Sequence, residues 1–193
     1  MGDKELLNLI KKDKAAGFKR LVETYRRLVI NTCYGFVHNK QDAEDIAQDV
    51  FVEVYRSIER FRGQSKLSTW LYRIAVNKSL NFIRDNKKNS WFQSLDIIFD
   101  NNSGKNKQPE PKDIENNRPD KISENKETGA YIYEAVNSLP ENQRIAFTLS
   151  KFDDLSYKDI AEVMEMSLSS VESLLFRAKK NLQKKLIAHY KNL

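Results

Sequence analysis

A single cysteine in 193 residues, Cys33, excludes an intrachain disulfide and points to a reducing compartment. Only two histidines are present, His38 and His189, far apart in the chain. With one cysteine they form no cluster of zinc-ligand spacing, so no metal centre is expected. No apolar run approaches the ~18 residues that a membrane span needs. The opening segment "MGDKELLNLIKKDK" lacks the uninterrupted apolar stretch of a secretory leader, which predicts a cytoplasmic chain. A glycine-rich phosphate loop is missing as well, leaving no sign of nucleotide hydrolysis. These absences argue against an enzyme with a metal, a cofactor or a small-molecule substrate.

Proline is scarce and unevenly placed. Three of the four, Pro109, Pro111 and Pro119, fall in the middle of the chain, where residues 100–128 hold only Ile114 and Ile122 as apolar side chains. Such a stretch cannot bury enough surface to offset its ordering entropy. It reads as a flexible linker over 89–129, between an N-terminal domain at 1–88 and a C-terminal one at 130–193. The apolar island "SWFQSLDIIF" at 90–99 either docks on the first domain or meets a partner. Elsewhere apolar residues recur at three and four positions and strict alternation is rare, so the chain reads as all-α. Each half is small, which leaves compact helical bundles with little room for a buried catalytic cleft.

The net charge is +6 and the pI about 9.2, a balance compatible with nucleic acid. The charge is strongly segregated. In "QDAEDIAQDVFVEVYRSIERF", Ala43, Ile46, Ala47, Val50, Phe51, Val54 and Ile58 fall on one helical face. Asp42, Asp45, Asp49 and Glu53 form a stripe on the opposite face. The helix dipole accounts for the early acids but less well for Glu53, about three turns along. The stripe is either a solvated face or a dock for a basic protein surface.

Residues 56–88 then carry a net +7. "FRGQSKLSTWLYRIAVN" (61–77) combines a small basic loop, Phe61, Arg62, Gly63, Gln64, Ser65 and Lys66, with a helix. Tyr72 and Phe82 project onto that helix's core face, while Arg73, Asn77, Asn81 and Arg84 project onto a polar one. Trp70 falls within the polar face, either packing at its edge or stacking on a base. Aromatic stacking contributes ~1–3 kcal/mol per base without sequence preference. The neighbouring cations neutralise phosphates, and the loop is suited to holding a base drawn out of the stack.

The C-terminal segment "LSYKDIAEVMEMSLSSVESLLFRAKKNLQKKL" predicts a helix-turn-helix. Ser156 caps a first helix with Asp159 three residues on, and Leu155 and Ile160 take hydrophobic-staple positions. The first helix is expected to end near Met164 and the second to begin near Leu168. On the second, Val171, Leu175, Ala178, Leu182 and Leu186 form the buried face. Ser169, Ser173, Phe176, Arg177, Lys180 and Lys184 form the other. Residues 171–193 carry a net +5 against −3 for 141–170, concentrating positive charge on the helix that would enter a major groove. Phe176 suits a thymine methyl, Arg177 a guanine or a phosphate, and Ser173 either one. Glu172 either accepts from a cytosine amino group or orients a neighbouring cation.

These two blocks resemble known domains. "DAEDIAQDVFVEVYRSIERFRGQSKLSTWLYRIAVNKSLNFIR" is similar to domain 2 of the extracytoplasmic-function bacterial sigma factors. "SLPENQRIAFTLSKFDDLSYKDIAEVMEMSLSSVESLLFRAKKNL" is similar to their domain 4. The resemblance implies that Asp45, Gln48, Asp49 and Glu53 contact core RNA polymerase. It implies that Phe61–Lys66 captures a flipped base of the −10 element, with Trp70, Arg73 and Asn77 along that strand. It further implies that Ser169, Ser170, Glu172, Ser173, Phe176, Arg177 and Lys180 read promoter DNA at −35, and that an anti-sigma factor, often membrane-anchored in the family, is a partner. Where the family often has a basic residue and an arginine, this chain has Glu172 and Leu174; Ser167 and Ser169-Ser170 replace the usual Pro and Gly-Thr. The family therefore does not supply its −35 sequence. Without the resemblance, two rivals stand: a helix-turn-helix regulator acting on duplex DNA without polymerase, and an enzyme acting on nucleic acid. The first leaves the acidic stripe and the Gly63 loop idle. The second needs an acid–base or metal cluster.

Overall fold

The computed structural model describes residues 2–99, 129 and 131–190, with the side chains of 87–99, 189 and 190 outside the description. The tether at 100–128 and the side chains of the 90–99 island therefore lie outside the described residues. All regular structure among the described residues is helical. None of these helices is long and apolar enough to cross a membrane.

Short polar residues punctuate the N-terminal bundle. Helix α1 (Asp3–Lys12) stops where Asp13 turns extended, at φ −143°. The Asp13 side chain then accepts from the Ala16 amide at 3.0 Å and starts α2 (Lys14–Val37). α2 ends at His38 in the left-handed region, φ 53°, and Asn39 caps α3 (Lys40–Ser57) by accepting from the Asp42 amide at 3.1 Å. A two-residue turn thus sets α2 and α3 antiparallel. A 3₁₀ turn, Ile58–Arg60, leads into the loop before α4 (Leu67–Phe99). The cap of α4 comes from a residue 64 positions away in the chain: Asp3 Oδ2 accepts from the Leu67 amide at 2.9 Å, while its Oδ1 accepts from the Tyr25 hydroxyl at 2.8 Å. α4 is about 50 Å long. Its backbone carries residues 89–99, which the sequence pattern assigns to the linker, as continuous helix.

The C-terminal bundle comprises α5 (131–137), α6 (Glu141–Lys151), α7 (Tyr157–Met164) and α8 (Leu168–Tyr190). Ser156 accepts from the Asp159 amide and its hydroxyl donates to Asp159 Oδ2 at 2.5 Å, so both ends of the capping interaction are made. Glu165, at φ 55°, closes α7, and Ser167 accepts from the Ser170 amide at 3.2 Å to open α8.

Two separate halves are expected from the apolar pattern, but the structure packs them together. Leu21, Val29, Phe36, Val50, Leu71 and Leu80 share one buried cluster with Ile145, Leu149, Ile160, Val171 and Leu175. A smaller cluster of Ala135, Val136, Leu139, Ala178 and Leu182 closes the far side of the C-terminal bundle. At the seam, the Thr32 hydroxyl donates to Asp153 Oδ1 at 2.9 Å. His38 lies edge-on to Phe152 with ring centres 5.0 Å apart, and 4.6 Å from the Tyr133 ring. Gly35 fits the close approach: a Cβ there would stand 2.9 Å from Thr148 Cγ2 and 3.1 Å from Phe152 Cβ. A helical glycine costs about 1 kcal/mol relative to alanine, and here the atoms that need the space belong to the other bundle.

Candidate functional site

The acidic helix α3 buries Ala43, Ile46, Ala47, Val50 and Val54, and the 3₁₀ turn that follows buries Ile58. Asp45, Gln48 and Asp49 are exposed, and Glu53 is half-buried with Lys78 Nζ at 3.9 Å. Beside the stripe, α2 and α3 enclose an apolar groove of about 670 Å³, lined among others by Phe18, Val22, Ile30, Phe51 and Val52. Gln48 stands on its edge. This groove was not anticipated, because its walls come from two helices and only their packing brings those walls together.

The loop after the 3₁₀ turn is exposed at Arg62, Gly63, Gln64 and Lys66. Gly63 sits at φ +70° with nothing within 4 Å of a built Cβ, so glycine suits the conformation there rather than a crowded contact. Phe61 and Trp70 pack against each other with ring centres 5.1 Å apart, and both are half-buried. Tyr72 is core, and its burial raises the phenol to about 12. Phe61, Arg62, Gln64, Ser65, Trp70 and Arg73 line a cleft of about 540 Å³, so the loop and the helix face one shared space. Asn77 is exposed one turn further along α4.

Glu165, from the C-terminal bundle, also lines that cleft. Its Oε1 lies 2.6 Å from Arg73 Nη1, while Arg73 Nη2 donates to the Glu162 carbonyl at 2.6 Å. Lys66 Nζ reaches Asp159 Oδ1 at 3.3 Å. Hydrogen bonds from Ser156 and Lys66 hold the Asp159 carboxyl below its usual range. Exposed ion pairs of this kind contribute roughly 0–1 kcal/mol each, so the apolar seam holds the bundles together and the pairs determine what the cations touch. Sequence reasoning missed Asp159, Glu162 and Glu165 as neighbours of the basic loop. The one available signal was charge complementarity between the −3 of residues 141–170 and the +7 of residues 56–88.

On α8, Val171, Leu175, Ala178 and Leu182 are buried. Ser169, Ser170, Glu172, Ser173, Phe176, Arg177 and Lys180 are all exposed, Phe176 to 68%. Arg177 Nε donates to the Ser173 carbonyl at 3.2 Å, one turn back on its own helix.

Comparison with known proteins places this arrangement. The Sigma-70 region 2 family matches residues 21–89, and the Sigma-70 region 4 family matches residues 129–182. The RNA polymerase sigma-H factor of Pseudomonas aeruginosa is 33% identical over 184 residues, spanning 95% of this chain and 93% of that protein. The ECF RNA polymerase sigma-E factor of Escherichia coli K12 is 32% identical over 185 residues, again spanning 95% and 93%. The chain belongs to the extracytoplasmic-function sigma factors. Its N-terminal bundle contains region 2 and its C-terminal bundle region 4. The solved structure of CnrH with the cytosolic domain of CnrY shares the fold at a TM-score of 0.65 and 19% identity, over 96% of this chain and 97% of that one. The sigma factor RpoE of Bartonella quintana, solved with the anti-sigma factor NepR, does so at 0.56 and 21%, over 88% and 96%. A sigma factor is a transcription initiation factor rather than an enzyme, which removes both rivals raised by the residues alone.

Proposed function

We propose that this sigma factor works through three surfaces. Asp45, Gln48 and Asp49, with Glu53 a turn beyond, dock on the largest subunit of core RNA polymerase. The Phe61–Lys66 loop takes a base extruded from the −10 element, with Trp70 available for stacking and Arg73 and Asn77 along the same strand. Ser169, Ser170, Glu172, Ser173, Phe176, Arg177 and Lys180 enter the major groove at −35. Residues 1–88 and 130–193 act as the two grips and 89–129 as the tether between them. Joining two weak sites raises their effective concentration, provided the tether spans them.

The observation that carries this reading is the division of α8: Val171, Leu175, Ala178 and Leu182 are buried, while Ser169, Ser170, Glu172, Ser173, Phe176, Arg177 and Lys180 are all exposed. Phe176, exposed between serines and cations, is suited to contact a thymine methyl in the major groove. An anti-sigma factor is the expected regulator, supported by the Bartonella relative, which was solved with one. The site of action is the cytoplasm, where polymerase and promoter are.

Run-off transcription with purified core polymerase over a promoter library tests the reading. Initiation at a narrow promoter set is expected, and Asp49→Lys is expected to lower core binding at least several-fold while the helical circular-dichroism signal is retained. Equal selectivity without the chain, or unchanged core affinity in the variant, would count against it.

A further inference from the structure

Glu172 places an acid on a helix face otherwise suited to nucleic acid. Its side chain is exposed, as is Phe176 one turn further along α8. On a helix, a carboxylate meets the residues three and four positions away. For Glu172 these are Leu168, Ser169, Leu175 and Phe176. None is a cation, and the Ser169 hydroxyl is engaged with Ser167 at 3.1 Å. Among the described residues Glu172 makes no ion pair and no side-chain hydrogen bond. It therefore orients no neighbouring cation. The helix dipole does not explain it either, because Glu172 lies beyond the first turn of α8, where that effect has faded.

Charge along α8 is divided. Residues 168–176 hold one acid and no base, whereas 177–185 hold five bases, Arg177, Lys179, Lys180, Lys184 and Lys185, all exposed. The later half is equipped for phosphates. The earlier half, the part of a recognition helix that meets base edges, is not. A carboxylate there is repelled by every phosphate within about 8 Å, the screening length at physiological salt, unless a base offers it a donor. In the major groove guanine presents N7 and O6 and thymine presents O4, all acceptors. Adenine presents its amino group beside the acceptor N7, and cytosine presents its N4 amino group alone.

We infer that Glu172 is the specificity-determining residue of the −35 surface: its carboxylate accepts from the N4 amino group of one cytosine and rejects the other bases by meeting their acceptors. This rests on the −35 reading of α8 given above. Glu172 gives up general affinity for DNA and gains discrimination at one base pair.

The test takes the full chain with purified core polymerase and a promoter from which it initiates, re-randomised over the −35 element, with preferences read by sequencing the run-off transcripts. Parent, Glu172→Ala, Glu172→Gln and Phe176→Ala are compared. Alanine and glutamine are good helix formers, and circular dichroism checks each fold. The parent should prefer cytosine at one position of one strand. Glu172→Ala should erase that preference alone and lower initiation from the cytosine promoter roughly tenfold. Glu172→Gln should admit adenine beside cytosine, because an amide both donates and accepts. Phe176→Ala should leave the cytosine preference in place. Three results overturn the inference: Glu172→Ala initiating better from all −35 sequences alike, the mark of a solvated, repelling carboxylate; preferences unchanged at every position in Glu172→Ala; or loss of a preference for a base other than cytosine. In each case the −35 reading stands if Phe176→Ala still alters a preference in the element. A parent indifferent to the whole element sinks that reading and this inference together.

Discussion

Arg177 and Gly63 show how much rests on single residues. Arg177 is exposed, with only its Nε engaged, by the Ser173 carbonyl at 3.2 Å. Arg177→Ala should cost about 1–3 kcal/mol in −35 duplex binding if the side chain reads a base. Fluorescence anisotropy across single-base variants of the site would then show the loss concentrated at one position. A uniform loss would assign it to a phosphate. Gly63 sits at φ +70° in open space, so Gly63→Ala introduces backbone strain without a clash, about 1–2 kcal/mol. That corresponds to roughly five- to thirty-fold in occupancy of the native loop. Promoter opening, followed by permanganate footprinting at −10, should fall by that order while −35 duplex binding holds. Equal losses in both would mean that region 4 depends on the loop.

At the scale of the element, α8 carries two fates side by side. Leu175 is buried against α7 and the shared core, and Phe176, its neighbour, is exposed to 68%. Leu175→Ala should destabilise the chain by about 2–5 kcal/mol through the cavity it leaves. Phe176→Ala should change stability by less than about 0.5 kcal/mol and yet weaken duplex binding. Urea denaturation and anisotropy on the same two proteins separate the outcomes; matched stability losses would mean that Phe176 is a packing residue. The elements were readable because their signals are local. Capping by Ser156, the end of α7 at Met164 and the start of α8 at Leu168 all follow from neighbours within a few residues. The backbone of 89–99 was less readable, because the pull of a long helix on its own C-terminal end leaves no mark in composition.

For the whole molecule, the seam between regions 2 and 4 carries a pH dependence. Burial pushes the Asp153 carboxyl up to about 6, the Thr32 hydroxyl partly opposing this and Asp154 adding to it. A raised carboxyl holds its proton longer in the native chain than in the unfolded one. Its contribution is therefore complete below the ordinary carboxylate range and is lost as pH rises through about 6. His38, across the same seam, is lowered by burial, and its contribution runs the other way, falling as pH drops below the ordinary histidine value. The comparison that isolates Asp153 is parent against Asp153→Asn by thermal melting from acid to neutral pH. The variant should gain on the parent as pH rises, and parallel curves would remove Asp153 from the account.

By itself, the sequence determined the helical class, the two blocks with their order, most of the buried face of α3 and of α8 (Phe51 and Leu186 are half-buried instead), and the separation of charge along the chain. Each of these depends on periodicity or on neighbours a turn or two away. Only the tertiary structure decided that the two bundles share one core, that Asp3 caps α4, and that Asp159 and Glu165 lie on Lys66 and Arg73. Those contacts join residues 64 to 93 positions apart, where no local pattern reports which surfaces meet, and where a missing Cβ at Gly35 matters only because Thr148 and Phe152 arrive beside it.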